Sequence, residues 1–305
     1  MGFLYWLEGL RMPVLNELML AITVLGEETA FLALALIFFW CVDKKRGYLL
    51  MSVGFLGIMA NQFLKLWFRV PRPWVLDQNF TILEEAREAA SGYSFPSGHT
   101  TTAFATFGSI AVSDRKRWVS LAAVLLAVLV GFSRMYIGVH TPADVLVGAL
   151  TSLVLIAVLR NAVLSDNEKG KKVILAAMLA AAIGLLFFVE RYAFPENVDA
   201  HNLESGVKNA YTMIGSLAGV AIVYLLDVEY LDFNTDAVWW AQILKAALGL
   251  CLVLLVKEGL REPLDAMFAG HMAARAIRYF LIVLVAGGLW PMTFDWFSRL
   301  GRKMN

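Results

Sequence analysis

Long apolar runs, each closed by a short charged or Pro/Gly-bearing stretch, organise this chain from end to end. Nine of them read as membrane-crossing helices, at residues 26–42, 48–66, 97–112, 118–134, 142–159, 173–189, 210–226, 238–256 and 277–297. A crossing needs about 17–25 mainly apolar residues. Residues 4–25 are apolar too, but Glu27 and Glu28 follow at once, and carboxylates are costly at a bilayer centre. Residues 4–25 are therefore expected to lie in the interface, with the first crossing starting at Gly26. The pattern predicts an all-α, polytopic transmembrane helix bundle of about nine spans.

Composition agrees. The 305 residues are 59% apolar and 17% charged, with mean hydropathy +0.66, whereas soluble domains carry about 25% charged residues. Net charge is +1, and no basic, aromatic-interleaved patch points to nucleic acid. Cys41 and Cys251 sit in or beside apolar segments without a pairing or ligand spacing, so both read as core thiols. The N-terminus lacks the basic region and cleavage site of a secretory signal, and Trp6 breaks the myristoylation pattern.

The links alternate in charge. Lys44-Lys45-Arg46, Arg115-Lys116-Arg117, Arg160 with Lys169, Lys171 and Lys172, and a tail with Arg299, Arg302 and Lys303 form one set. Basic links face the cytoplasm, which places the C-terminus there and the intervening links on the other side. The link 227–237 dissents, being acidic where alternation requires a cytoplasmic link. On this topology Lys65, His99, Arg134 and His140 all stand at span ends on the non-cytoplasmic face, and converge on one mouth.

Three strings carry chemistry: Lys65-x6-Arg72-Pro73, Pro96-Ser97-Gly98-His99, and Ser133-Arg134-x5-His140-x3-Asp144. They supply three cations, two imidazoles and one carboxylate, an inventory suited to a phosphate group: cations to hold its oxygens, one imidazole to attack and one to protonate what leaves. Nothing in them resembles a metal cage. Thr141-Pro142-x-Asp144 has the form of a capping box with proline at the first helical position. Asp144 thus either caps that helix or also accepts the His140 imidazole N–H, as the third member of a triad does. Ser97 can cap the next helix start, Gly98 lets backbone approach a ligand closely, and the positive helix end favours an anion. Lys65 and Arg72 can snorkel to lipid phosphates or clamp a substrate. Arg134 offers a bidentate fork at a span end that otherwise carries no charge.

Together the strings resemble the signature of the type 2 phosphatidic acid phosphatase superfamily, whose members include lipid phosphate phosphatases, undecaprenyl-pyrophosphate and phosphatidylglycerophosphate phosphatases, glucose-6-phosphatase and vanadium haloperoxidases. Every defining position is present, all within residues 65–144. The resemblance implies that His140 is the nucleophile that forms a phosphohistidine, Asp144 its orienting partner and His99 the general acid. Lys65, Arg72, Arg134, Ser97 and Gly98 would form the phosphate clamp. It also implies a phosphatase core of five to six spans, a lipid phosphate or pyrophosphate substrate and no metal or other cofactor. Residues 1–164 are expected to hold that core and 165–305 to add transmembrane helices of unknown role.

Rival readings remain at this stage. A phosphotransferase would use the same phosphohistidine, and a nine-span plan is also that of glucose-6-phosphatase. Vanadium haloperoxidases are chiefly soluble, which argues against that member type. A lipid-binding or transport protein would lack catalytic residues, and none is missing. Beyond the strings, His201 and His271 read as solvated loop histidines and Lys245 as a cation snorkelling to the cytoplasmic side. Glu84, Glu85, Arg87 and Glu88, alternating with Ile82, Leu83 and Ala86, read as a short amphipathic surface helix or as a lid over the phosphate pocket.

Overall fold

A computed structural model describes residues 1–90 and 92–300, and among the described residues there is no strand. The helices are α1 (Gly2–Glu8), α2 (Pro13–Val24), α3 (Glu28–Ile37), α4 (Lys44–Phe68), α5 (Pro73–Leu76), α6 (Gly98–Ser113), α7 (Arg117–Tyr136), α8 (Pro142–Leu164), α9 (Glu168–Arg191), α10 (Ala200–Leu226), α11 (Trp239–Gly259), α12 (Arg261–Met267), α13 (Ala273–Leu284) and α14 (Phe294–Arg299). Single π-helical turns extend α3, α10 and α13. Among the described residues seven helical segments are long and apolar enough to cross a bilayer: Lys44–Leu76, Arg117–Tyr136, Pro142–Leu164, Glu168–Arg191, Ala200–Leu231, Trp239–Met267 and Ala273–Arg299. The protein is an integral, multi-pass membrane protein.

Two features differ from the nine expected spans. Residues 4–25 are two helices, because Gly9 and Pro13 interrupt the run, and α2 joins α3 as a pair bent by 53° around Gly26 that counts as an eighth span only if taken as one. The expected third span, 97–112, is α6. It has 16 residues, about 24 Å at 1.5 Å per residue, against a hydrocarbon core of about 30 Å. Most of it is buried within the protein, including Thr100, Thr101, Thr102, Thr106 and Ser109. The basic tail residues Arg302 and Lys303 lie outside the described residues.

The chain forms two compact units that interleave in sequence. The first comprises residues 1–34, 49–166 and 191–206; the second comprises 35–48, 167–190 and 207–305.

In the first unit α7 and α8 pack against α6. Small residues permit close approach, as in membrane helix pairs generally. A Cβ on Gly148 would stand 2.8 Å from Ser97 O, and one on Gly26 2.8 Å from His99 O. Gly148 thus seats α8, and Gly26 the α2–α3 bend, against the start of α6. The buried hydroxyls bond to backbone, Thr106 Oγ1 donating to Thr102 O and Ser152 Oγ to Thr101 O. The opposite faces of α7 and α8 expose Leu121, Val124, Leu125, Val128, Leu150 and Val158, an apolar surface for lipid tails.

The link 77–95 is not one amphipathic helix. Residues Glu84–Ala86 and Glu88–Ala90 form two 3₁₀ turns, with Ala86 and Ala90 buried against Met19, Tyr136, Ile137 and Val139. Leu83 N–H donates to Ile137 O (3.1 Å). The charged side stays outside, where Arg87 pairs with Glu84 at 2.6 Å and lies over Trp74. The N-terminal helices staple this link: Tyr5 Oη donates to Asp77 (2.8 Å), and Arg11 donates to both Tyr136 O (3.1 Å) and Thr81 O (2.9 Å).

In the second unit Trp40 Nε1 donates to Ala286 O (2.8 Å). Lys44 pairs with Asp227 at 3.1 Å and Asp232 at 3.3 Å, beneath the Phe233 ring. The acidic link that dissented from the charge pattern therefore meets a basic link at the same end of the unit, where each neutralises the other. Lys245 does not snorkel out. It is fully buried, its amine donating to Thr235 O (2.9 Å) of that same link and lying 4.5 Å from the Phe294 ring centroid.

Candidate active site

The turn after α7 sets the first half of the site. Gly138 adopts φ +89, a left-handed conformation that favours glycine. The chain curls back so that Val139 N–H and His140 N–H both point to Arg134 O (3.1 and 3.3 Å). Thr141 then caps α8: Asp144 N–H donates to Thr141 Oγ1 (3.3 Å) and Thr141 N–H to Asp144 Oδ2 (2.7 Å), with Pro142 in the first turn. The same Oδ2 stands 3.5 Å from His140 Nδ1. Asp144 therefore caps the helix and faces the imidazole at once.

Ser94 joins this pair, which sequence reasoning missed. Its Oγ donates to Asp144 Oδ2 at 2.5 Å and lies 3.5 Å from His140 Nδ1. A serine three residues before a helix cap carries no signal of its own; only the fold brings it to a carboxylate fifty positions away.

The other ring nitrogen, Nε2, stands 2.9 Å from Arg72 Nη1. A guanidinium only donates. Nε2 is thus the nitrogen with the free lone pair, and Nδ1 carries the proton that faces Asp144. His140 lies in the turn between α7 and α8. Burial above all, then the charges of Arg72, Arg134 and Lys65 with His99 alongside, hold its pKa well below the ordinary imidazole range. The ring is neutral, with its lone pair at Nε2.

The cations surround it. Arg72 is buried, its Nε donating to Gly92 O (2.9 Å) and Nη1 to Val139 O (2.9 Å). Lys65, in the last turn of α4, donates to Tyr93 O (2.6 Å). Arg134 is 1% exposed. Its Nη1 donates to Thr23 Oγ1 of α2 (2.6 Å), and its buried Nε has no partner among the described residues. Thr23 is a second residue that sequence reasoning missed, being a lone threonine inside an apolar run.

At the start of α6, Ser97 is the cap. Its Oγ accepts from Thr100 N–H (3.4 Å) and Thr100 Oγ1 (2.8 Å), and its own N–H donates to Asp144 O (3.0 Å). Gly98 opens the helix, so its N–H lies among the first-turn donors that have no intrahelical acceptor. His99 follows in the same turn, within electrostatic reach of Arg134, Arg72 and Lys65. All eight residues singled out from sequence thus belong to one locality, in which three cations face one triad carboxylate. Such a cluster can bind a phosphate dianion, present a neutral nitrogen to phosphorus, and hold a second imidazole near a departing oxygen.

Residues 45–168 match the family model described as PAP2 superfamily, and residues 211–303 that described as PAP2 superfamily phosphatase, transmembrane extension. The chain is similar to undecaprenyl-diphosphatase BcrC of Bacillus subtilis, 34% identical over 148 residues that span 48% of this chain and 73% of that protein. It is 35% identical over 159 residues to phosphatidylglycerophosphatase B of Bacillus subtilis, covering 48% and 74%. With an undecaprenyl-diphosphatase of Sulfolobus acidocaldarius it shares 30% identity over 141 residues, covering 46% and 66%. No solved structure matches the chain.

Proposed function

This chain belongs to the PAP2 superfamily of phosphatases, and from that premise we propose that it hydrolyses a lipid phosphate or pyrophosphate through a phosphohistidine on His140, at the non-cytoplasmic face. The observation that carries the reading is the orientation of the His140 ring, with Arg72 at Nε2 and Asp144 at Nδ1. That arrangement prepares Nε2 for in-line attack.

Substrate phosphate oxygens replace Nε2 as the acceptor of the Arg72 donors, and Arg134 takes two oxygens with its fork. Lys65, Ser97 Oγ and the Gly98 N–H complete the clamp. Nε2 then forms a bond to phosphorus as the bond to the leaving oxygen breaks, and His99 gives that oxygen a proton. Asp144 stabilises the positive charge on the phosphorylated ring through Nδ1–H. Water next attacks phosphorus, His99 takes its proton, the P–N bond breaks and inorganic phosphate leaves. Phosphoryl transfer of this loose kind needs positioning and charge stabilisation more than covalent assistance.

The names of the relatives support a polyprenyl diphosphate or phosphatidylglycerophosphate as substrate. The apolar outer faces of α7 and α8 support lateral entry of a lipid whose tails stay in hydrocarbon. Orientation rests on the basic links at the ends opposite the site. The test is phosphate release by purified protein in detergent, with undecaprenyl pyrophosphate, phosphatidylglycerophosphate, phosphatidate and glucose 6-phosphate compared. Release from a lipid establishes the class and ranks the head groups. Release from the sugar alone, or from none, overturns it.

A further inference from the structure

Three consecutive residues, Gly92, Tyr93 and Ser94, hold much of the site together. Gly92 O anchors Arg72, Tyr93 O anchors Lys65, and Ser94 Oγ anchors Asp144. Ser94 N–H fastens the far end of this loop to Val70 O (2.8 Å). Gly92 itself adopts φ +90, so the loop bends through a conformation that favours glycine.

What grips the loop from outside is the start of α10. Tyr93 N–H donates to Asn202 Oδ1 (2.8 Å), and Asp199 N–H donates to Tyr93 Oη (3.1 Å). Asn202 is itself locked, since its backbone N–H and its Nδ2 both donate to Asp199 Oδ1, each at 2.8 Å. The fit is close: a Cβ on Gly92 would lie 2.3 Å from Asn202 Oδ1. One turn further on, a Cβ on Gly206 would lie 2.6 Å from Leu66 Cδ1, so α10 also presses on α4 beside Lys65. Residues 191–206 belong to the same compact unit as the site, yet fall between the two family matches, 45–168 and 211–303.

We propose that Asn202 is a positioning residue of the phosphatase, which holds the Gly92–Ser94 loop and through it Lys65, Arg72 and Asp144. The catalytic unit therefore extends past α8 to take in the α9–α10 link. This rests on the phosphatase reading above. Displacing a catalytic constellation by about 1 Å can cost 10²-fold in rate, and the loop touches two of three cations and the triad carboxylate.

The decisive variant is Asn202→Asp. It keeps an oxygen for Tyr93 N–H but sets a second carboxylate oxygen against Asp199 Oδ1. In the full chain in detergent, kcat on the lipid that wild type hydrolyses should fall about 10²-fold, and the rise in melting temperature produced by orthovanadate should shrink. Asp199→Asn with Asn202→Asp removes the opposition of two carboxylates, and should recover part of both signals. His201→Ala, an exposed neighbour, should leave both unchanged. The inference is overturned if Asn202→Asp turns over at the wild-type kcat, if the exchanged pair is no better than the single variant, or if His201→Ala loses as much. Failure of wild type itself to hydrolyse any lipid or to respond to vanadate overturns the phosphatase reading, and this inference with it.

Discussion

The two compact units treat buried charge in opposite ways. In the second, Lys44 and Lys245 are each answered on the spot. Lys44 meets two carboxylates, and Lys245 meets a backbone carbonyl and an aromatic face. In the first, Lys65, Arg72 and Arg134 rest on carbonyls and one hydroxyl, with a single triad carboxylate among them. A charge in a membrane protein is costly unless paired. Local pairing makes Lys44 and Lys245 parts of the scaffold. Three cations gathered around one triad carboxylate make a place where an anion binds.

The sharpest break of that contrast is removal of the attacking nitrogen. His140→Ala should lower phosphate release by roughly 10⁴-fold or more while the protein stays folded, as loss of a nucleophile does elsewhere; a folded variant with near-normal turnover refutes the role. Arg134→Lys keeps the charge but loses the fork, and about 10²- to 10³-fold in kcat should go with it. Retained turnover there would mean that charge alone suffices.

Ser94→Ala deletes a hydrogen bond to a carboxylate, worth about 1.5–3 kcal/mol, so kcat should drop about 10- to 100-fold, with vanadate binding less affected than in Arg134→Lys. Parallel losses in both readouts would instead place Ser94 in the clamp. Acid tests the neutral state of His140. An ordinary imidazole titrates near pH 6.5 and would be only about one-tenth neutral at pH 5.5. The folded pKa is lowered, so Nε2 keeps its lone pair through that window, and kcat/KM should lose much less between pH 6.5 and 5.5 than the roughly fivefold fall in neutral fraction of an ordinary ring. A loss of about fivefold or more would show that the ring titrates normally.

Lys245→Met is the smallest expected effect. Replacing a buried cation by an apolar side chain of similar reach is often neutral or stabilising, so kcat should not change and the melting temperature should hold or rise. Loss of turnover would break the comparison outright, since it would place a charge of the second unit in the reaction.

Much of this was legible in the chain. Apolar runs of crossing length specify helices because the bilayer leaves backbone groups no other partner, and the three strings named seven polar side chains and Gly98 that the fold gathers in one locality, though not Ser94 or Thr23. The α8 capping box was readable to the atom, since capping depends on residues three apart. Less was readable where neighbours decide. Helix α6 has the hydropathy of a span, but its hydroxyls, and the glycines that bring α8 and the α2–α3 bend against it, make it a buried post. The 82–90 segment has helical amphipathicity, yet contacts from Tyr136–Val139 hold it as two 3₁₀ turns.

Local composition thus determined which segments are helices and which side chains carry charge and protons, because periodicity, capping and hydropathy act over a few residues. Tertiary structure decided how those groups are held. Ser94, Thr23 and Asn202 are unremarkable in sequence, and each matters through one hydrogen bond to a partner 50 to 111 positions away. The tautomer of His140 was likewise unreadable until Arg72 arrived at Nε2. A short-range pattern cannot encode such meetings; they exist only once the helices have packed.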